Sequence, residues 1–118
     1  MSTEPTLFER IAAREIPADI VFENDRILAI KDIAPKAPVH LLVFPKEATY
    51  KNVGELSASD PQLLAEIVGT ARNLAEQYAN GQFRLVFNSG ADAGLTVFHV
   101  HAHVLAGGTI EEGTLGHL

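Results

Sequence analysis

Residues 98–108 read FHVHAHVLAGG, and three of the chain's five histidines, His99, His101 and His103, stand there at alternate positions. Alternation is the period of a β-strand: residues i, i+2 and i+4 share a face, with alternate residues roughly 6.6–6.8 Å apart. A strand over 99–107 therefore carries a row of imidazoles on one side. Val100, Ala102 and Val104 fill the other side, toward a core. Such a strand separates a polar site from a packed layer, and the rest of the chain can be placed around it.

Immediately before it lies NSGADAGLT, residues 88–96, a loop rich in Gly, Asn and Asp. FRLVFNS, from Phe83 to Ser89, precedes the loop and predicts the neighbouring strand. Further back, VHLLVFPK (39–46) predicts a central strand. His40, Leu42 and Phe44 share one face, Leu41 and Val43 the other, and both faces are apolar. DIVFEN and ILAIKD predict two shorter strands joined by a turn at Asn24-Asp25, a hairpin. APKAPVH, with two prolines, cannot belong to a regular ladder.

Two helices stand out. DPQLLAEIVGTARNLAEQY (60–78) has Asp60 as N-cap and Pro61 at the first helical position. Leu63, Leu64, Ile67, Val68, Ala71, Leu74, Ala75 and Tyr78 give it one apolar stripe, and Gly81 can close it. TLFERIAAR (6–14) is shorter, and Thr6 with Glu9 forms a capping box in sequence. The fold class is α+β: an antiparallel β-sheet of about five strands with two main helices packed on it.

The chain has 118 residues and 47% hydrophobic content, which suits a single domain with a small core. The absence of cysteine excludes disulfides and cysteine-ligated zinc. A net charge of −6 with no Lys/Arg cluster argues against nucleic-acid backbones as partners. No apolar run approaches the ~20 residues that span a bilayer. The N-terminus MSTEPTLFER lacks the pattern of a secretory signal, so the expectation is a soluble cytoplasmic protein that engages no membrane.

The histidine row has three readings. It is three unrelated surface histidines on a half-exposed strand. It is part of a metal site, since histidines at i and i+2 can chelate zinc or iron. That reading lacks a well-placed carboxylate, because Glu111 and Glu112 sit beyond Gly107-Gly108. Or it is a nucleophilic centre for phosphorus chemistry. Neutral imidazole attacks phosphorus well when one nitrogen is bare and the other is held by an acceptor. Histidines on either side of His101 can hydrogen-bond a phosphate or shuttle protons. Gly90 and Gly94 let backbone N–H groups approach an anion, and Asn88 and Thr96 add neutral polar groups.

NSGADAGLTVFHVHAHVLAGG resembles the signature of the histidine triad family, His-x-His-x-His followed by two apolar positions. FERIAAREIPADIVFENDRILAIKDIAPKAPVHLLVFPK resembles the N-terminal half of its Hint branch, the nucleoside phosphoramidate hydrolases. The resemblance covers about residues 7–108 and leaves 109–118 as a C-terminal tail. It implies a metal-independent hydrolase of purine nucleoside 5′-phosphoramidates that needs no cofactor. It also implies a homodimer whose sheets join into one. His101 matches the nucleophile that forms a nucleotidyl-histidine intermediate. The His99 carbonyl would fix its tautomer. His103 and His40 match the remaining histidines around the phosphate, Asn88 and Thr96 the polar residues at phosphate and leaving group, and Gly94 the loop beside them. Asp32 matches the acid that accepts the ribose hydroxyls. Phe8, Ile11, Ile16, Ile30 and Ile33 match the apolar pocket around the base.

Without the resemblance, Asp32 reads as the cap of the DIAP turn, His40 as a satisfied core histidine, and the isoleucines as core. The chain departs from the family at Leu95, where glutamine is common, at Lys31, and in the tail TIEEGTLGHL, which lacks the tryptophan of many relatives. His117, in that tail, has no assigned role. Two other functions stay open: a dinucleoside polyphosphate hydrolase or nucleotidyl transferase, and a nucleotide-binding regulatory protein with incidental catalysis.

Overall fold

A computed structural model describes residues 4–110. Five strands form one antiparallel sheet in the order β1-β2-β3-β5-β4. These are β1 Ile20–Glu23, β2 Ile27–Lys31, β3 Val39–Pro45, β4 Phe83–Val86 and β5 Ala102–Ala106. Three α-helices accompany them among the described residues: α1 Leu7–Ala12, α2 Val53–Ser59 and α3 Pro61–Tyr78. None of these helices is long and apolar enough to cross a membrane.

The two faces of the sheet have different partners. Ile27, Ala29, Leu41, Val43, Val100, Ala102 and Val104 pack with Leu56 of α2 and with Leu63, Ile67, Ala71 and Leu74 of α3. Each large aliphatic side chain sealed there contributes about 1.5–3 kcal/mol over an exposed one. The opposite face carries Leu28, Ile30, Leu42 and Phe44 beneath Phe8 and Ile11 of α1. The 18-residue α3 thus covers one face. The six-residue α1 covers only part of the other, and the histidines lie on that half-covered side.

Local signals act as the sequence predicts. Thr6 caps α1 and Glu9 reaches back to it, completing the capping box. Asp60 accepts from the Leu63 N–H at the start of α3. The side chain of Asn24 accepts from the Arg26 and Ile27 N–H groups and shapes the β1–β2 turn. Arg14 closes α1 in the left-handed region at φ 64°, with its N–H on Ile11 O and the Glu15 N–H on Arg10 O. This is a Schellman closure with arginine at the position glycine usually takes.

Three expectations shift. α2 was not foreseen: Asn52 and Glu55 cap it, but Gly54 and two serines mask its period. β5 begins at Ala102 rather than at His99. The N–H groups of His99 and Val100 go to Val97 O and Tyr50 O, so neither joins the ladder. β4 stops at Val86 rather than Ser89, for its partner has ended at the same level.

Candidate active site

His101 stands one residue before β5, and its Nδ1 lies 2.8 Å from the carbonyl oxygen of His99. A carbonyl only accepts, so Nδ1 carries the proton and Nε2 keeps a bare lone pair. Burial pushes the pKa of His101 below the usual histidine value, against weaker upward pulls from the His99 carbonyl and the Asp32 charge. The ring is therefore neutral at pH 7. Phe8 packs against it with ring centroids 4.8 Å apart.

The peptide unit behind this contact is held from both sides. Its oxygen, on His99, accepts from His101, and its N–H, on Val100, donates to Tyr50 O at 2.9 Å. The ring of His99 is locked as well. Its Nε2 lies 2.6 Å from Pro45 O and must donate there, which leaves Nδ1 bare for the Thr6 hydroxyl at 2.6 Å. This corrects one expectation. His99 is 0% exposed with both nitrogens spent inside the fold, so its ring cannot touch a phosphate or shuttle protons. Only its carbonyl faces the chemistry.

His103 and His40 come together across the sheet. Register pairs Leu42 with His103 and His40 with Leu105, so the two histidines are diagonal neighbours on one face. The Lys36 N–H donates to His40 Nδ1 at 3.0 Å, so the proton of neutral His40 sits on Nε2. That Nε2–H donates to His103 Nδ1 at 3.0 Å. His103 must then hold its own proton on Nε2, as a donor. Burial, reinforced by the neighbouring histidines, pushes His103 down to about 4. His40 is lowered too, chiefly by burial. The ring centroids of His101 and His103 lie 5.2 Å apart, so the ring with a bare nitrogen and the ring with an N–H donor are neighbours.

Asp32 borders the same cluster. Its Oδ1 accepts from the Ala34 N–H at 2.7 Å, the turn cap that the sequence offered as an alternative. Its Oδ2 lies 3.5 Å from His40 Nε2. A carboxylate does therefore stand with two histidines, contrary to the sequence reading: one ligand atom each from Asp32, His40 and His103 lie within 4.8 Å of one another. A tetrahedral zinc with ligands at about 2.0–2.1 Å spaces them by about 3.3 Å, so the cluster is of the right size. Its hydrogen bonding opposes a metal. Ligation through His40 Nε2 requires that proton to leave and sets a second N–H against the Lys36 N–H.

The residues expected around a base divide. Phe8, Ile11 and Ile30 are buried in the core, with Phe8 stacked on Phe44 at 4.3 Å, and Ile16 packs at its margin. Ile33 is 100% exposed and makes no part of that cluster. Core packing leaves the first three little surface for a ligand. In the 88–96 loop, Gly90 (φ 88°) and Gly94 (φ 93°) take positive φ around a single 3₁₀ turn at Ala91–Ala93. Asn88 is half-buried and Thr96 exposed beside Leu95, whose side chain is sealed into the fold at 4% exposure. Sequence reasoning missed Thr6 as a site residue, together with the carbonyls of Pro45 and Tyr50 and the Lys36 N–H. The capping box was a signal for Thr6; main-chain groups leave none.

The chain matches the family model described as "Scavenger mRNA decapping enzyme C-term binding" over residues 5–113. An uncharacterised HIT-like protein of Synechocystis is 48% identical over 108 residues, 88% of this chain and 91% of that protein. The purine nucleoside phosphoramidase of Escherichia coli K12 is 39% identical over 106 residues, 88% of each chain. Among solved structures, a HIT family hydrolase from Clostridium thermocellum is similar at TM-score 0.85 and 43% identity, covering 93% of this chain and 96% of that one. One from Legionella pneumophila is similar at TM-score 0.85 and 40% identity, covering 91% and 96%.

Proposed function

The chain belongs to the histidine triad family, and from that premise we propose that it hydrolyses purine nucleoside 5′-phosphoramidates through a nucleotidyl-histidine intermediate, without a metal or other cofactor. One observation carries the reading: every hydrogen bond around His101 leaves its Nε2 bare and its ring neutral, beside a donor on His103. The 39% identity to a purine nucleoside phosphoramidase supports the choice of a P–N bond over a phosphoanhydride.

The steps follow from those atoms. His101 Nε2 attacks the α-phosphorus. An Nε2–P bond forms and the P–N bond breaks, with the amine taking a proton from solvent as it leaves. The imidazolium-like ring is stabilised by its Nδ1–H bond to the His99 carbonyl. The His103 Nε2–H and the glycine-loop N–H groups suit phosphoryl oxygens, where negative charge builds. Water then attacks phosphorus, breaks the Nε2–P bond and returns a proton to solvent, which leaves His101 with its Nδ1–H and a bare Nε2. Asn88, Gly94 and Thr96 are assigned to the phosphate and leaving group. Asp32 Oδ2 is assigned to the ribose hydroxyls and Ile16 and Ile33 to the base, with Phe8, Ile11 and Ile30 backing them from the core. A homodimer with a continuous sheet is part of the same reading, and sedimentation equilibrium tests it.

The test is AMP release from adenosine 5′-phosphoramidate in EDTA, beside a dinucleoside polyphosphate under the same conditions. Faster turnover of the phosphoramidate supports the assignment. Preference for the polyphosphate moves the activity to the phosphoanhydride class. Loss of activity in EDTA that zinc restores would return the Asp32–His40–His103 cluster to the centre of the mechanism.

A further inference from the structure

We propose that Thr6 is a positioning residue for the nucleophile: its hydroxyl holds the buried His99 ring, and thereby the carbonyl that keeps His101 Nε2 bare. The inference rests on the nucleophile reading above, and the sequence marked Thr6 only as the cap of α1.

Thr6 Oγ1 uses its acceptor side and its one proton for different purposes. It accepts from the Glu9 N–H at 3.1 Å as the cap of α1, and donates to His99 Nδ1 at 2.6 Å. The direction of the second bond is forced. Pro45 O fixes the His99 proton on Nε2, so Nδ1 can only accept. Glu9 ties the cap down further, accepting from the Thr6 N–H at 3.0 Å and, through Oε2, from the Ala48 N–H at 3.2 Å. The start of α1 and the last residue of β3 therefore converge on one imidazole, 93 residues from Thr6 in sequence.

The consequence for His101 follows from where His99 sits. The His99 N–H donates to Val97 O in a tight turn, and its carbonyl receives the His101 Nδ1–H. A ring fixed at both nitrogens fixes the Cα that carries that carbonyl. Without the hydroxyl, a fully buried nitrogen has no donor. An unpaired buried polar atom is costly, so the ring turns or changes tautomer to find a partner. Either movement drags the 97–101 segment and loosens the 2.8 Å contact. His101 then gains the tautomer with hydrogen on Nε2, which cannot attack phosphorus.

Thr6→Val keeps the shape and removes the donor; Thr6→Ser keeps the donor. Thr6→Val is expected to lower kcat by about 10- to 100-fold, the scale of a reacting group misplaced by a fraction of an ångström to an ångström. KM should stay within about threefold, because no substrate contact is lost. Thr6→Ser should restore kcat to near wild type. Ring ¹⁵N NMR should show more Nε2-protonated His101 in Thr6→Val only. Asp60→Ala, which uncaps α3, supplies a destabilised control that keeps kcat. The proposal is overturned if Thr6→Val matches wild type in kcat and in tautomer, or if Asp60→Ala loses as much kcat at equal thermal destabilisation. Should wild type release no AMP, the nucleophile reading fails separately, and the ring NMR of Thr6→Val still decides whether Thr6 sets the tautomer.

Discussion

His99 and His101 are joined through the main chain and not through their rings: the carbonyl oxygen of one lies 2.8 Å from Nδ1 of the other, while the His99 ring points into the fold toward Pro45 and Thr6. Two histidines of one alternating run thus do opposite work. One is buried, paired at both nitrogens and structural. The other is neutral, part-buried and bare at one nitrogen. Both precede β5, and their hydrogen-bond partners separate their roles.

pH dependence follows from burial. His40, His99, His101 and His103 all have pKa values lowered from 6.5, His103 to about 4. A bare Nε2 on His101 survives below the pH at which free histidine charges. The pH profile of kcat/KM is expected to hold its plateau through pH 6.5 and fall on the acid side only, as His101 takes a proton. Stability has the same sign. Below 6.5 the unfolded chain binds protons that the folded histidines refuse, so stability drops as pH falls toward 4 and is insensitive to these groups above about 7. Urea melts at pH 7.5, 6 and 5 check this. His103→Asn should flatten the decline.

Asp32 is expected to act on binding more than on chemistry. Its Oδ1 is committed to the Ala34 N–H, and only Oδ2 faces the site. A hydrogen bond to a charged group is worth about 1.5–3 kcal/mol, so Asp32→Asn should raise KM by about 10- to 100-fold. Removing the ribose 2′- and 3′-hydroxyls from the substrate should weaken wild type by a similar factor and the variant by much less. Equal losses in both proteins would take the ribose away from Asp32.

Gly107 ends β5 at φ 82° with almost no room for a side chain. A Cβ there would lie 3.0 Å from Val39 Cγ2, 3.3 Å from Pro38 Cβ and 3.4 Å from the Val39 nitrogen. Strain and crowding act together, so Gly107→Ala should cost about 1–3 kcal/mol in a urea melt. Because β3 pairs β5 at Val39–Ala106, the loss should spread to the strand that carries His40. A melt unchanged from wild type would contradict the packing described here.

Much of the fold was legible because local signals agreed with tertiary packing. Asp60-Pro61 opens α3 where the sequence places it, and the Leu63, Ile67, Ala71 and Leu74 stripe meets the sheet. Leu41 and Val43 face one layer while Leu42 and Phe44 face the other, as their alternation requires. α2 was hidden because seven residues with a glycine and two serines give no apolar period. The grouping of His40, His103 and Asp32 was visible only through the family resemblance. Strand register places them together, and register is a property of pairs of strands. The roles of Thr6, Pro45 and Tyr50 depend on atoms that no pattern of side-chain types records.

The most direct measurement is the location of the covalent intermediate. Wild type and His101→Ala would be mixed with adenosine 5′-phosphoramidate in EDTA, quenched within one turnover in alkaline denaturant, digested and weighed. The expected result is one AMP on the wild-type peptide that contains His101, with neither adduct nor AMP release from the variant. An adduct on another residue, or a variant that releases AMP as fast as wild type, would contradict the assignment of His101 Nε2 as the nucleophile.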